Sequence, residues 1–578
     1  MGIPHLISTL EPYVQHVALK DVDVVVDGPG LAHHVLHVCR VNGVDHPSYQ
    51  LLGKTAAAWL DRLAAQNAVI KKIYFDGYLP KSKLPVRMQR AVKSTSQLAS
   101  FCGYNRRGCP RCHIIEPTGA VSIDPFKTGR PENKPLEAPS FLVPAVIEAL
   151  RRSKKYKSTI QVVPGEADGY CAKAAVEDGG IVITSDSDLL VHDLGSGGVA
   201  LLRNIYQDDA GAVQAAVYFP REIFRTLGLS TAAEICRFAY ERSCSAHTTT
   251  PMLIQACSQP VKDEKGYEEF CIQYKEEERA QLPMFSSGGS LALQGLDPRW
   301  SELLLQISQP ESPDGTVNIF RMFLPVLIDS SEKGTAWENS RYIRQLAYSL
   351  ARHMLPGTSG SVHEYRRVQT IDQGGRQVIM LPSPSIHSEL RDIADTLDRI
   401  SRLLSGKRDT LYWLLAYIVL DIRGAAADAR SLFVVDVLQQ AKWPGENAET
   451  IPWTLVHFVA HMQAAYYSLR MLAQLIHASV ADARRVAGSS FSKLAQMLED
   501  FPLLEASPDA RSVSKLIRTA PVGKMDGILA HFVELPKPAA AINKSARRMK
   551  KAKNDGSITK KPVKSAAASN MFGLLPME

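Results

Sequence analysis

The sequence lacks the segments that mark membrane and secreted proteins. No run of about eighteen apolar residues occurs, so we expect no transmembrane helix and no membrane partner. The first residues, MGIPHLISTLEP, have neither a basic segment nor a long apolar core, which argues against a secretory signal. The nine cysteines are scattered and odd in number, which favours a reducing compartment over a disulfide framework.

Motifs of several familiar enzyme classes are also missing. There is no GxxxxGK loop to cradle phosphates, so an ATPase interpretation has no support. No Ser-His-Asp or Cys-His triad can be chosen from the sequence. His33, His34 and His37 have helical spacing but lack the glutamate of a metalloprotease motif, so we interpret them as packing or surface residues.

Excess positive charge is absent outside the carboxyl-terminal tail. The tail, 536–578, contains ten Lys/Arg and two Asp/Glu and so accounts for the whole net charge of +8. Its composition predicts disorder. Two basic clusters, ARRMKKAK and KKPVK, favour a nuclear-import signal or a non-specific nucleic-acid arm over a merely solubilising end. The predicted localisation is the nucleus, with the cytoplasm as the alternative.

Short apolar strands alternate with helical segments over residues 1–235. This pattern predicts an α/β domain with a mostly parallel sheet. Residues 77–158 interrupt the alternation with a basic, helix-compatible piece and a long loop. Helical periodicity dominates 236–535, which predicts a large, mainly α-helical region before the tail. The predicted strands are DVDVVVD, KKIYFD, TIQVVP, GIVITSD and GVALLRNI.

Three of the predicted strands end in aspartate, namely Asp27, Asp76 and Asp186. The carboxyl ends of parallel strands meet at one edge of a sheet, where such folds bind ligands. Three further carboxylates follow predicted strands closely. Glu166 and Asp168 come after TIQVVP, and Asp188 comes two residues after the end of GIVITSD. Each alone is most simply a cap or turn residue. Their recurrence at successive strand ends is hard to explain by capping.

Six carboxylates at one edge would repel one another strongly. At ~4 Å and an effective dielectric constant of 20, the cost is about 4 kcal/mol per pair. Cations would remove this cost, and oxygen-only ligands suit one or two Mg²⁺ or Mn²⁺ ions. Two such ions ~3.5–4 Å apart could activate a water and stabilise the leaving oxygen of a phosphodiester.

In order along the chain, MGIPHLISTL, VVVDGPG, IYFDGYLP, PGEAD and TSDSD resemble blocks of the flap-endonuclease/XPG-like (PIN-like) superfamily of nucleases. DGPGLAHHV and VPGEADGYCAKAA look most like its Asteroid branch, particularly the fungal members. The clear resemblance covers about 1–205. It implies metal binding, directly or through water, by Asp27, Asp76, Glu166, Asp168, Asp186 and Asp188.

The resemblance also implies that Lys83 and Arg90 steer the scissile phosphate, because both match family offsets from Asp76. They lie seven residues apart, so one helix face could present both; a solvated basic face is the alternative. Gly2 would lie near the site, which suggests a processed, free amino terminus. Related nucleases build an arch or clamp over the substrate in the place of 77–158.

Two family features are missing. The family has a seventh acid in a GSDY-like block, but this chain reads CRFAYERSCSAH there, with Glu241 nearest and Arg242 about where the aspartate would fall. The glycine-bearing helix-two-turn-helix that grips duplex DNA is not visible either. The missing acid bears on the binding of a second metal ion, and the missing helix-two-turn-helix bears on the grip on duplex DNA.

The segment CGYNRRGCPRCH offers a candidate structural Zn²⁺ site at Cys102, Cys109, Cys112 and His113. No second Cys-x-x-Cys accompanies it, and adjacent ligands rarely both reach one ion. Free thiols on a loop are therefore the alternative.

Together, these features predict a Mg²⁺-dependent endonuclease of the Asteroid type. We expect it to hydrolyse phosphodiester bonds of branched or overhanging DNA, in a setting such as DNA repair. The alternative is a catalytically weak or inactive nuclease-fold scaffold that binds protein or RNA. A protein partner could bind the helical region or the tail.

Overall fold

A seven-stranded sheet lies at the centre of the amino-terminal part of the chain in the computed structural model. All strands of this part except β4 belong to it. They are β1 (Gln15–Ala18), β2 (Asp23–Asp27), β3 (Val69–Asp76), β4 (Cys109–Pro110), β5 (Ile160–Val163), β6 (Ile181–Thr184), β7 (Gly198–Gln207) and β8 (Val213–Tyr218).

The strands lie in the order β1-β8-β7-β6-β2-β3-β5. All neighbours from β7 to β5 are parallel, whereas β8 is antiparallel to both β7 and β1. The carboxyl ends of β6, β2, β3 and β5 therefore meet at one edge. This arrangement confirms the predicted α/β fold with a mostly parallel sheet.

Helices cover the sheet, so its central strands are apolar on both faces. Val24, Val25 and Val26 of β2 are all buried. Residues of the first, sixth, seventh and eighth helices share one apolar cluster with Val25 and Val182, while the second, third and fifth helices pack together. These helices are α1 (Leu6–Leu10), α2 (Gly28–Val41), α3 (Tyr49–Ala64), α4 (Leu84–Tyr104), α5 (Leu142–Arg152), α6 (Ala167–Asp178), α7 (Pro220–Thr226) and α8 (Ala232–Cys244).

The described residues beyond α8 are mainly helical, as predicted. Their helices include α9 (Thr250–Cys257), α10 (Glu264–Ile272), α11 (Pro298–Ile307), α12 (Arg341–Met354), α13 (Ser383–Leu403), α14 (Thr410–Ala427), α15 (Phe433–Gln440), α16 (Trp453–Ala478) and α17 (Ala510–Thr519). A small sheet joins β9 (Asn318–Phe323), β10 (Gly360–Tyr365) and β11 (Arg376–Val378). A twelfth strand, β12 (Thr450–Ile451), pairs with β4.

The core of this helical part is formed by α14 and α16, which are buried on nearly all sides. By length and composition α14 could cross a membrane, but most of it is buried inside the protein, as in many core helices. Beside α16 lies a buried ion pair, in which Arg344 Nε of α12 donates to Glu364 Oε1 at 2.7 Å. Arg366 donates to the same carboxylate, so the buried charge is compensated.

The helical part is bonded directly to the sheet domain. Ser301 Oγ of α11 donates to the carbonyl of Gly77, which follows β3, at 2.9 Å. In the next residue, the Glu302 carboxylate pairs with Arg87 of α4. Trp453 Nε1 donates to the Asn105 carbonyl at the end of α4 at 2.7 Å. The sheet domain and the helical part therefore belong to one compact unit, Met1–Val533.

The structure describes residues 2–117, 122–133, 136–229, 231–245, 247–272, 274, 293–309, 318–355, 360–440, 442–445, 447–478, 491–519 and 527–532. The tail, 536–578, predicted to be disordered, lies outside these residues.

Candidate metal centre

The predicted carboxylates come from four neighbouring strand ends. Asp27 ends β2 and Asp76 ends β3. Asp186 and Asp188 follow β6, while Glu166 and Asp168 begin α6 immediately after β5. The strand order places all four junctions side by side at one sheet edge.

Two strand-end aspartates are oriented by hydrogen bonds from neighbouring junctions. Thr184 Oγ1, at the end of β6, donates to Asp27 Oδ2 at 2.8 Å, and the Gly30 amide donates to Asp27 Oδ1 at 3.2 Å. The Ala167 amide of α6 donates to Asp76 Oδ1 at 2.7 Å. Each bond spans two junctions or caps a helix, so the fold itself fixes where these carboxylates point.

The amino-terminal residues pack against the last pair of acids. The Asp188 amide donates to Asp186 Oδ1 at 3.2 Å, and the Ile3 amide donates to the Asp188 carboxylate. Gly2 has a φ of +127°, and a Cβ there would overlap Ser187 Oγ and Asp186 Oδ1. Only glycine fits this position without displacing Asp186.

Burial and mutual repulsion raise the pKa values of three of the carboxyl groups. Burial raises the pKa of Asp168 well above its usual range, and the charges of Asp27, Asp186, Asp76 and Glu166 raise it further. Burial also raises the pKa of Asp27, against the lowering effect of its hydrogen bonds. The site therefore disfavours the charge that its residues would carry in water.

The pKa of Asp188 is raised to about 6, first by burial and then by the charge of Asp186. Its Oδ1 atom is buried and has no hydrogen-bond partner among the described residues. A buried carboxylate oxygen without a donor costs free energy unless a donor or a cation reaches it.

The donor set fits a hard divalent cation. All six candidate ligands offer carboxylate oxygens, which suit Mg²⁺ or Mn²⁺. Among the described residues, no three of these side chains offer oxygens that all lie within 4.8 Å of one another. The charges of four of them nevertheless act on Asp168, so the six carboxylates share one site.

Lys83 lies at the rim of this acidic group. It ends a 3-10 turn that precedes α4, and its Nζ lies 3.3 Å from Glu166 Oε1. Burial by itself would lower the pKa of the ammonium, but the charges of Glu166, Asp188 and Asp168 outweigh it and the pKa is raised. Lys83 is therefore a permanent positive charge beside the carboxylates.

Arg90 lies elsewhere. It is on α4, exposed to solvent, where its charge acts on His33 of α2. The structure thus places Lys83 in contact with the acidic group, through Glu166, while the effect it gives for Arg90 is on His33.

Two further residues approach the site that the sequence did not reveal. Burial raises the pKa of the Tyr274 phenol, and the nearby charges of Asp188 and Asp186 add to this effect. The ring of His192 packs edge-on against Tyr274, with centroids 5.6 Å apart. Burial lowers the pKa of His192 to about 4, with a contribution from Lys83. His192 lies only four residues after Asp188, so its position in the sequence could have indicated that it is near the site. The sequence around Tyr274 gives no such indication.

Arg242, which stands about where the family's seventh acid would fall, has a structural role. Its side chain is buried, and it donates to the carbonyls of Ser245 and Thr248 just beyond α8. Glu241 forms an ion pair with Arg237 at 2.7 Å. These contacts satisfy the carbonyls beyond a helix end and supply no additional carboxylate to the site.

The predicted grouping of Cys102, Cys109, Cys112 and His113 is wrong in its membership. Cys102 is buried on α4, where its thiol donates weakly to the Asp329 carbonyl, and Cys109 is buried in β4. Among the described residues, the group with ligand atoms all within 4.8 Å is Asp45, Cys112 and His113. Cys109 lies near enough to Cys102 and Cys112 for both thiols to raise its pKa, after the larger effect of burial, but Cys102 and Cys109 are outside the group of ligand atoms within 4.8 Å.

A family model described as "XPG domain containing" matches residues 138–375. The matched range includes Glu166, Asp168, Asp186 and Asp188, as well as α11. No curated protein matches the chain. The match covers less than half of the chain; it supports an XPG-like nuclease fold over that range and does not distinguish the Asteroid branch.

Proposed function

We propose that this XPG-like nuclease-fold protein is a divalent-metal-dependent, structure-specific nuclease that hydrolyses phosphodiester bonds in branched or overhanging DNA. The observation that carries the proposal is the acidic sheet edge, where Asp188 Oδ1 is buried without a partner among the described residues. Carboxylates whose charge is disfavoured in isolation have a reason to be together if they hold cations.

In this proposal, Asp27, Asp168 and Asp188 lie at the centre of the ligand set, because burial and neighbouring charges raise the pKa of each. When bound there, Mg²⁺ or Mn²⁺ supplies Lewis acidity toward the phosphate and the attacking water. Thr184 and the Gly30 amide keep Asp27 in one orientation, so its geometry need not be rebuilt at each turnover.

Lys83 is proposed to orient the scissile phosphate. It already contacts Glu166 at 3.3 Å, so a phosphate at the rim would compete with Glu166 for the same ammonium. Arg90 is exposed on α4, and we propose that it contacts the backbone of the nucleic acid further from the reacting atoms.

Finer assignments rest on sequence resemblance. DGPGLAHHV and VPGEADGYCAKAA support the Asteroid branch, and the basic clusters of 536–578 support a nuclear location. DNA as substrate and DNA repair as setting follow from the same resemblance. We propose all four, the nuclear location on the basic clusters and the other three on the resemblance.

A cleavage panel tests the proposal. Purified full-length protein with Mg²⁺ or Mn²⁺ should cut flap, overhang or splayed DNA, and a chelator should stop it. Asp186→Ala and Asp188→Ala should abolish cutting, while Asp209→Ala, which removes an exposed acid beyond β7, should leave it unchanged. Cutting that persists in both site variants would refute the assignment, and RNA substrates of the same shape test the choice of DNA.

One observation favours a second candidate, a nuclease-fold scaffold that binds protein or RNA. Arg242 occupies about the place of the seventh acid, and its hydrogen bonds beyond α8 stabilise the fold rather than a metal. Anomalous scattering from Mn²⁺-soaked crystals separates the two candidates. Two ions among the carboxylates support the enzyme, whereas no ion there supports the scaffold.

A further inference from the structure

A second group of side chains with metal-binding chemistry lies away from the acidic sheet edge. Asp45, in the loop after α2, meets Cys112 and His113, which lie in a 3-10 turn after β4. One potential ligand atom from each lies within 4.8 Å of the other two. Two distant chain segments thus converge on one point.

The three donors differ in chemistry from those of the sheet edge. A thiol, an imidazole and a carboxylate together suit a borderline-soft transition metal, and Zn²⁺ accepts all three ligand types. Mg²⁺ prefers oxygen ligands and would gain nothing from the thiol. The group is therefore matched to a different ion from the one expected at the sheet edge.

Neighbouring residues orient Asp45 and leave one of its oxygens available. Asn133 Nδ2 donates to Asp45 Oδ2 at 2.7 Å. Arg40 Nε donates to the Asp45 backbone carbonyl at 3.2 Å, which fixes the loop. The Cys112 thiol is hydrogen-bonded to the Asp45 carboxylate, so the sulfur and a carboxylate oxygen already face each other. Such outer contacts are what hold metal ligands in place.

The turn that carries the other two ligands is held from two sides. The ring of Phe101 packs edge-on against that of His113, with centroids 5.1 Å apart. The Arg111 amide donates to the Glu449 carbonyl at 2.8 Å, next to the β4–β12 pair. Cys112 is exposed and His113 is partly buried, so an ion can enter from solvent.

We propose that Asp45, Cys112 and His113 bind Zn²⁺, with water as the fourth ligand. The ion would tie the loop after α2 to the segment after α4, close to where that segment docks on β12. It would act as a cross-link at the far end of α4, the helix whose first turn follows Lys83. The site requires the thiolate, so zinc binding releases the Cys112 proton.

Cobalt substitution of the full-length protein tests this site without interference from the acidic edge. Co²⁺ bound by a thiolate gives a near-ultraviolet charge-transfer band that carboxylate ligands cannot produce. We expect the band in the wild-type protein and in Asp186→Ala, its loss in Cys112→Ser, and its displacement by Zn²⁺. Its absence from the wild-type protein, or its persistence in Cys112→Ser, would overturn the proposal.

Competition with a chromogenic chelator gives the zinc affinity. His113→Ala and Asp45→Asn should weaken it by more than the 10- to 100-fold that is typical of outer contacts, and Asn133→Ala by about tenfold. Cys109→Ser is the matched control, because this buried thiol lies outside the group. Circular dichroism checks that each variant is folded. If Cys109→Ser loses zinc while His113→Ala keeps it, the proposed membership of the site is wrong.

Discussion

Asp188→Asn should stabilise the metal-free protein near neutral pH. In the folded protein the pKa of Asp188 is raised to about 6, because burial and the charge of Asp186 disfavour ionisation. Asparagine has nearly the same shape and carries no charge to bury. Its amide oxygen can still accept the hydrogen bond from the Ile3 amide.

The size and sign follow from linkage. A carboxyl whose folded pKa is raised contributes stability that is fully present below the unfolded pKa and is lost as pH rises through the folded pKa. Here that window runs from the ordinary value of 3.8 to about 6. At about 1.4 kcal/mol per pKa unit, the loss is about 3 kcal/mol, a value that already includes the opposing attraction of Asp188 to Lys83.

Urea unfolding in the presence of a chelator, at about pH 4 and near neutral pH, measures the effect. The variant should exceed the wild type near neutral pH, and the difference should shrink at the lower pH. Adding Mg²⁺ should remove the difference in stability by stabilising the wild type, because a ligand at about 100 times its Kd stabilises by about 2.7 kcal/mol. A variant that is less stable near neutral pH, or a pH-independent difference, would refute the reasoning.

Three further variants probe the same edge. Lys83→Ala should reduce the single-turnover cleavage rate by more than Lys83→Arg does. Mg²⁺ binding should be retained or tightened, because a competing positive charge is gone. An unchanged cleavage rate would show that Lys83 has no part in the mechanism. Gly2→Ala should weaken Mg²⁺ binding, measured by calorimetry, because its Cβ displaces Asp186. Arg242→Asp should lower the free energy of unfolding by about 1–3 kcal/mol, since the Ser245 carbonyl loses its donor, and should not raise activity. A gain of activity would mean that position 242 faces the metal centre.

Much of the acidic edge could be predicted from sequence because parallel strands impose it. When an apolar run ends in Asp27 or Asp76, the sheet leaves only one edge for both side chains. Lys83 follows β3 closely, so its place near that edge was also predictable. Arg90 lies seven residues further along, about 10 Å of helix rise, and is exposed on α4, so the sequence spacing alone did not settle its distance from the acids.

Other parts of the site depend on contacts between distant segments. Tyr274, two residues beyond α10, lies near enough to Asp188 and Asp186 for their charges to act on its phenol. The pattern of Cys102, Cys109 and Cys112 suggested a local zinc motif, but only Cys112 belongs to the described group of ligand atoms within 4.8 Å. Asp45 joins Cys112 only because the loop after α2 folds against the segment after α4. No spacing of neighbouring residues in the sequence indicates that Asp45 and Cys112 are in contact.

The bond from Ser301 to the Gly77 carbonyl has a consequence for how this protein can change over generations. The turn after β3, which carries Asp76 into the acidic edge, is braced by α11 of the helical part. Recombination that exchanged the helical part would remove this brace and disturb the acidic edge along with it. The two parts are therefore expected to be inherited together, and a fragment that ends at residue 235 should not retain a properly shaped centre.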